Sequence, residues 1–155
     1  MEMGKEIARL YEGQNVNKIL TIETSGIPIA FAAAHYLDVP MVFAKKNKSG
    51  NISESVFTAK VTSYTKKTDY DVVVSKEYIE KGDKLLVIDD FLAKGNALKG
   101  LIDIINQAGA ELVGCAIAIE KGFQGGGDEL RANNIRVDSL AIIESMTDSS
   151  LTFRK

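Results

Sequence analysis

Short apolar segments alternate along the chain with segments whose apolar residues recur at helical spacing. The former are typical of strands buried on both faces, and the latter of amphipathic helices. The predicted strands are KILTI (18–22), MVFAK (41–45), LLVI (85–88), LVGCAIAIE (112–120) and VDSLAII (137–143). The predicted helices cover 3–13, 28–37, 96–108 and 128–133. This alternation predicts an α/β fold with a mostly parallel central sheet flanked by helices.

A segment of different character, 45–76, interrupts the alternation. It begins with a basic, glycine-containing loop (45–50) and continues into SVFTAKVTSY (55–64), whose partial period of two favours an exposed or edge strand. After a polar turn, DVVVSK (71–76) returns as a second strand. The pattern predicts a hairpin-like insertion with a polar, flexible tip. We expect a single domain over 1–155, because this length suits one domain and no linker or repeat is visible.

The composition argues against several classes of function. Nineteen basic and twenty-one acidic residues give a net charge of -2, so we expect no nucleic-acid partner. With Cys115 as the one cysteine and His35 as the one histidine, we expect no intramolecular disulfide and no metal site of the protein's own. No uncharged apolar run has the length of a membrane span, and the charged amino terminus differs from a signal peptide. We therefore expect a cytoplasmic protein with no membrane partner.

The segment LLVIDDFLAKGNA (85–97) carries the most specific chemistry. Its strand delivers Asp89 and Asp90 to the edge of the sheet where parallel α/β proteins bind ligands. A small-residue loop and a helix start follow, and helix amino termini of this kind bind phosphate. An isolated Asp-Asp pair would more often only end a strand, but carboxylates also accept hydrogen bonds from hydroxyls. The whole segment is suited to a sugar phosphate, at an edge where three polar loops are expected to meet: 23–26, 89–96 and 120–127.

These residues give the sequence a resemblance to the type I phosphoribosyltransferase family. LLVIDDFLAKGNA is similar to the segment with which that family binds 5-phosphoribosyl 1-diphosphate. Four further segments fit the same assignment: IETSGI (22–27), VFAKKNKS (42–49), the region 63–66 and IEKGFQGGGDEL (119–130). Together they are most similar to the members of bacterial purine salvage that use xanthine. The resemblance implies the type I phosphoribosyltransferase fold and a transferase that makes xanthosine 5′-monophosphate and pyrophosphate.

The resemblance also implies roles for individual residues. Asp89 and Asp90 would be the catalytic acidic pair and would bind the ribose 2′- and 3′-hydroxyls. The 5′-phosphate would be held by Ala93, Lys94, Gly95, Asn96 and Ala97. The diphosphate would be held by Thr24, Ser25, Gly26, Lys45 and Lys46. Lys121 would donate to an exocyclic purine oxygen, Phe123 is a weaker candidate for stacking, and a loop around Ser63 and Tyr64 would close over the site.

The same resemblance implies the partners of the reaction. The substrates would be a purine base and 5-phosphoribosyl 1-diphosphate, with Mg²⁺ carried by the diphosphate. A transition state of oxocarbenium character is expected by analogy with glycoside chemistry. The magnesium and the lysines would stabilise the leaving diphosphate. The chain is expected to form a homodimer in which the basic loop reaches the neighbouring subunit's site.

Other interpretations stay open from the sequence. The base could instead be guanine, hypoxanthine, adenine or orotate, or the chain could be a non-catalytic regulator that senses the diphosphate. A defective fragment that binds sugar phosphate without turnover is a further alternative. Two departures from the family bear on this: Lys94 stands where Thr or Asn is usual, and the chain starts within what resembles the family's first helix. We therefore expect a present phosphoribosyl site and incomplete purine recognition.

Overall fold

The structure is a computed structural model and describes residues 1–47, 54–62 and 69–154. Within these ranges it forms four helices and eight strands. The helices are α1 (Glu2–Tyr11), α2 (Ile27–Leu37), α3 (Asn96–Ala108) and α4 (Gly126–Ala132). The strands are β1 (Lys18–Ile22), β2 (Met41–Asn47), β3 (Val56–Thr62), β4 (Asp69–Ser75), β5 (Lys84–Leu92), β6 (Glu111–Lys121), β7 (Val137–Met146) and β8 (Leu151–Phe153).

All eight strands join one sheet in the order β3-β4-β2-β1-β5-β6-β7-β8. The five central strands, β2, β1, β5, β6 and β7, are parallel. Antiparallel strands close both edges, with the hairpin β3–β4 at one and β8 at the other. Parallel neighbours need crossover connections, which α2, α3 and α4 supply. The predicted α/β fold with a mostly parallel sheet and a hairpin insertion is confirmed.

Both faces of the sheet are covered, as the continuous apolar run of β5 predicts. Leu85 and Val87 belong to an apolar cluster that includes α3 and the hairpin. Leu86 and Ile88 belong to a second cluster, formed with α1 and α2. Successive residues of a strand point to opposite faces, so a strand buried on both sides must be apolar at every position.

Two strands are longer than their apolar runs because a neighbouring strand extends the pairing. β5 continues through the acidic pair to Leu92, which pairs with Glu120 of β6, although the apolar run ends at Ile88. β2 continues to Asn47 because its last three residues pair with β4 in antiparallel register. Lys45, the last residue of the predicted strand 41–45, therefore lies within β2, and the prediction of Lys46 as a loop residue was wrong.

The carboxyl-terminal part of the chain differs in two places from the sequence prediction. Strand β8 is short and exposed, so it lacks an apolar run that would reveal it. The last helix begins at Gly126 and not at 128, because Gly125 adopts a positive φ of 77° just before it. Two predicted loops lie wholly or partly outside the described residues: Lys48–Gly50 of the basic loop and the segment around Ser63 and Tyr64.

Gly100 lies inside α3, where glycine ordinarily costs about 1 kcal/mol relative to alanine. A Cβ at this position would lie 2.5 Å from Cγ2 of Val61, because α3 packs closely on β3. We expect Gly100→Ala to lower the free energy of unfolding by about 1–2 kcal/mol, since overpacking outweighs helix propensity here. In a Val61→Ala background the same change should raise it, because the space is then open.

Denaturant unfolding measures the effect of Gly100→Ala in both backgrounds. It requires the unmodified chain, the Gly100→Ala and Val61→Ala variants, and the double variant. An equal effect of Gly100→Ala in the two backgrounds would show that Val61 is not the residue that excludes a side chain.

Candidate active site

The carboxyl ends of three neighbouring strands form the candidate site. β5 lies between β1 and β6 with all three parallel, so the segments that follow them emerge at one edge of the sheet. These segments are 23–26 after β1, 93–95 after β5 and 122–125 after β6. The structure thus brings together the three loops that the sequence predicted to converge.

The acidic pair lies in the last part of β5. Asp89 is 7% exposed, and its Oδ1 accepts a hydrogen bond from the backbone N–H of Asp90 at 2.9 Å. Burial, and after it the neighbouring Asp90 side chain, raise the pKa of Asp89 to about 7. The positive charge of Lys46 acts in the opposite direction. Asp89 is therefore a buried carboxyl whose charge depends on pH near neutrality.

The loop after β1 packs closely against Asp89. A Cβ at Gly26 would lie 3.0 Å from Oδ1 of Asp89 and 2.5 Å from Oγ1 of Thr21. Only glycine therefore fits at this position. Oγ1 of Thr21 is buried and has no hydrogen-bond partner among the described residues. Of the predicted loop residues, Thr24 and Ser25 are exposed, the Glu23–Thr24 peptide bond is cis, and Ile27 N–H donates to Thr24 O at 3.2 Å.

The loop between β5 and α3 forms the wall of a cleft of about 180 Å³. The cleft is lined by Val61, Thr62, Tyr70, Asp89 and the whole segment 91–98, which includes all five predicted phosphate residues. Gly95 has a φ of 79° and lies directly before the first residue of α3. Nδ2 of Asn96 donates to Thr62 O at 3.0 Å and so connects α3 to β3. The first N–H groups of a helix have no partner within it, so this end of α3 favours an anion.

The two predicted lysines of β2 are placed differently. Nζ of Lys46 lies 5.7 Å from the ring centroid of Tyr70, which itself lines the cleft. The backbone N–H of Lys46 donates to Oε1 of Glu23 at 2.6 Å, and this hydrogen bond connects the loop after β1 to β2. Lys45 instead lines a separate cleft with Phe43 and Tyr78. The structure therefore brings Lys46 to the acidic pair of its own chain and does not bring Lys45 there.

Lys121 is the last residue of β6, one residue beyond the predicted end of that strand at Glu120. Its neighbour is an aromatic residue that the sequence analysis did not single out. Its Nζ lies 5.5 Å from the ring centroid of Phe91, which is 49% exposed. Phe123, the predicted stacking candidate, lies in the turn after β6 and is 48% exposed.

Comparison with known proteins decides the family. A family model described as the phosphoribosyl transferase domain matches residues 1–148. The chain belongs to the phosphoribosyltransferase family. A xanthine phosphoribosyltransferase of Alkaliphilus metalliredigens (strain QYMF) is 54% identical over 153 residues, which are 99% of this chain and 76% of that protein. Xanthine phosphoribosyltransferase 1 of Clostridium perfringens (strain 13 / Type A) is 53% identical over 154 residues, 99% of this chain and 81% of that protein.

Solved structures agree with this assignment. The adenine phosphoribosyltransferase of Rhodothermus marinus DSM 4252 superposes with a TM-score of 0.79 at 25% sequence identity, covering 92% of this chain and 78% of that one. The fold is the type I phosphoribosyltransferase fold, as the resemblance predicted. No helix in the described part of this phosphoribosyltransferase is long and apolar enough to cross a membrane. Nor do residues 1–47, 54–62 and 69–154 contain a group of three His, Cys, Asp or Glu side chains that could hold a metal.

The raised pKa of Asp89 has a consequence for stability. Between the ordinary pKa of an aspartate and about 7, the folded state keeps a proton that the unfolded state has lost. The free energy of unfolding should therefore fall as pH rises from 4 to 7, by roughly 3 kcal/mol, and stay constant above. Asp89→Asn should remove this fall and be the more stable protein at pH 8.

Denaturant unfolding between pH 4 and pH 8 provides the measurement, with Asp103→Asn, an exposed carboxyl on α3, as the control. If the Asp89→Asn and Asp103→Asn variants gave the same pH profile, the Asp89 carboxyl would not be the buried group described here.

Proposed function

We propose that this phosphoribosyltransferase is an enzyme that transfers the phosphoribosyl group of 5-phosphoribosyl 1-diphosphate to xanthine. The products would be xanthosine 5′-monophosphate and pyrophosphate, as expected for a purine-salvage enzyme. The observation that carries the proposal is the placement of Asp89 and the amino terminus of α3 in one cleft. The choice of xanthine is supported by the two relatives of that name, at 54% and 53% identity over nearly the whole chain.

The sugar phosphate would lie along the cleft from the acidic pair to the helix. Asp89 and Asp90 would accept hydrogen bonds from the 2′- and 3′-hydroxyls, since carboxylates accept and hydroxyls donate. The backbone N–H groups of 93–97 would hold the 5′-phosphate, where the helix dipole favours negative charge. Lys94 is exposed in this loop and would add a positive charge to the same phosphate.

The diphosphate would lie over the β1 loop. The exposed loop residues Thr24 and Ser25 offer hydroxyls and backbone groups, and Lys46 offers a positive charge next to the acidic pair. Mg²⁺ would enter with the diphosphate, because this ion is held by one or two carboxylates together with substrate phosphates. The adjacent carboxyls of Asp89 and Asp90 fit that requirement. In that position the ion would neutralise charge on the leaving group.

The chain's own residues would act by position and not by covalent attack. Rupture of the bond to diphosphate leaves positive charge on the sugar, and hydroxyls held by two carboxylates keep that charge over an acidic surface. A purine nitrogen then forms the new bond to the same carbon. Holding both partners at contact distance replaces a bimolecular encounter and supplies much of the rate.

The base would lie next to Lys121 and Phe91. An ammonium group donates hydrogen bonds and accepts none, so Lys121 suits an exocyclic oxygen and opposes the amino group of adenine. This favours an oxopurine. The half-exposed ring of Phe91 offers an apolar surface for the purine face.

A pyrophosphate-release assay with Mg²⁺ tests the function, with xanthine, guanine, hypoxanthine and adenine as bases. We expect the highest kcat/KM for xanthine. The Asp89→Asn, Asp90→Asn double variant should lose at least roughly a hundredfold in kcat/KM, and Asp103→Asn should keep the activity of the unmodified chain. A higher kcat/KM with another base would reject xanthine as the substrate, and binding of the diphosphate without turnover would reject the enzyme.

We further propose that the chain acts in the cytoplasm, as one domain, and as a homodimer. Two clefts share Met41 as a lining residue, and we propose that together they form the dimer face. Exposed aromatic residues lie on this face: Phe31, Phe43 and Tyr78. Lys45 lines this face as well, and we propose that it contributes to the site of the second copy.

Sedimentation velocity should give the mass of two chains. Phe31→Ser should shift the equilibrium toward one chain, because it removes an apolar contact. Phe153→Ser alters an equally exposed ring on β8 and should leave the dimer intact. A monomeric unmodified chain would contradict the dimer.

A further inference from the structure

A buried carboxylate that the proposed reaction does not use lies beside the base subsite. Glu120 of β6 directly precedes Lys121, and its side chain is 1% exposed. The guanidinium of Arg131 donates twice to it, from Nη1 to Oε1 at 2.9 Å and from Nη2 to Oε2 at 2.6 Å. Oγ of Ser139 donates a third hydrogen bond at 2.5 Å. Groups from α4 and β7 thus hold this carboxylate in one orientation.

The pairing keeps Glu120 charged inside the protein. Burial alone would raise its pKa, but the hydrogen bonds from Arg131 and Ser139 outweigh burial and hold the pKa below its ordinary value. A buried ion pair of this kind adds little net stability compared with apolar side chains of the same size. It does define geometry, because a bidentate guanidinium fits a carboxylate in one plane. The role of Glu120 therefore depends on the neighbouring groups that its fixed orientation holds in place.

The first turn of α4 is held between Glu120 and the phosphate loop. A Cβ at Gly127 would collide with Oε1 of Glu120, and one at Gly126 would collide with the carbonyl oxygen of Ala93. The N–H of Gly126 donates to that carbonyl oxygen at 3.1 Å. The same Cβ at Gly126 would also lie 2.8 Å from the backbone N of Gly95. Two glycines thus allow α4 to contact the ion pair on one side and the loop 93–95 on the other.

A series of exposed ion pairs extends from Arg131 to Arg154, the last residue that the structure describes. Nη1 of Arg131 lies 3.3 Å from Asp128, which accepts from Nη1 of Arg154 at 2.8 Å. Arg154 also donates to Glu144 on β7 at 2.6 Å. Exposed ion pairs contribute little to stability. Of this series, the buried pair of Glu120 with Arg131 is therefore the one that fixes α4.

We propose that Glu120 and Arg131 are positioning residues that couple the base subsite to the phosphate subsite of this enzyme. Glu120 fixes the end of β6 from which Lys121 extends to the base. Through Arg131 and the first turn of α4, the same carboxylate fixes the loop that receives the 5′-phosphate. The inference rests on the proposed function for the base, while its phosphate part rests on the loop contacts alone.

The test compares Glu120→Gln, Arg131→Lys and Lys121→Ala. Calorimetry gives the Kd of ribose 5-phosphate for each, and steady-state kinetics give the KM of xanthine. We expect Glu120→Gln to raise both constants by about tenfold or more, since small displacements of positioning groups are costly. Arg131→Lys, which keeps the charge but not the bidentate geometry, should raise both to a smaller extent. Lys121→Ala should raise only the KM of xanthine.

A control separates positioning from general destabilisation. Ile105→Ala removes buried apolar atoms near the far end of α3 and should lower Tm while leaving both constants unchanged. All measurements are made well below the Tm of each variant. Unchanged constants in Glu120→Gln and Arg131→Lys, or a change in the xanthine KM alone, would overturn the coupling. If the unmodified chain used no purine, the proposed function would fail, while the Kd of ribose 5-phosphate would still report whether Glu120 positions the loop.

Discussion

The position of β5 between β1 and β6 is the constraint on which the rest of the site depends. Parallel pairing on both sides aligns the carboxyl ends of three strands, so the segments that follow them must share one edge. The apolar residues that bury both faces of β5 fix its register, because a shift by one residue would move every side chain to the other face. The same burial that stabilises the sheet therefore determines where Asp89 and the start of α3 lie.

This arrangement places carboxyl groups side by side that repel one another when both are charged. Asp89 is buried beside a second carboxyl, which raises its pKa, and the nearby charge of Lys46 only partly offsets the cost. Gly26 and Gly95 contribute no side chains, so the backbone approaches the place where a ligand would lie. A substrate with two hydroxyls at one end and a phosphate at the other would lower this energetic cost. Its hydroxyls would donate hydrogen bonds to the carboxyls, and its phosphate would accept hydrogen bonds from the first N–H groups of α3. Sites of function often retain such local cost.

The local sequence pattern was sufficient to predict the bounds of some helices and strands but not of others. The bounds of β1 and α3 follow from the sequence alone, because KILTI ends at a polar turn and Gly109 ends the helix with a positive φ. The extensions of β2 and β5 could not be predicted, since they depend on pairing with strands distant in sequence. The positions of the acidic pair and of the loop 93–95 were predictable because these residues are contiguous in the sequence. Glu120 was not, because its partners Arg131 and Ser139 become neighbours only in the fold.

The pairing of β5 with β6 also sets the distance between the two subsites of the proposed function. Adjacent strands lie about 4.8 Å apart, and Leu92 pairs with Glu120, so Lys121 emerges level with the end of the acidic strand. A sugar held by its hydroxyls over β5 would then present its anomeric carbon toward a base held over β6. The separation is fixed by backbone hydrogen bonds, which leave little freedom for adjustment. What stays adjustable is the orientation of the groups at the strand ends, and that is where the buried charge of Glu120 and the glycines of α4 are placed.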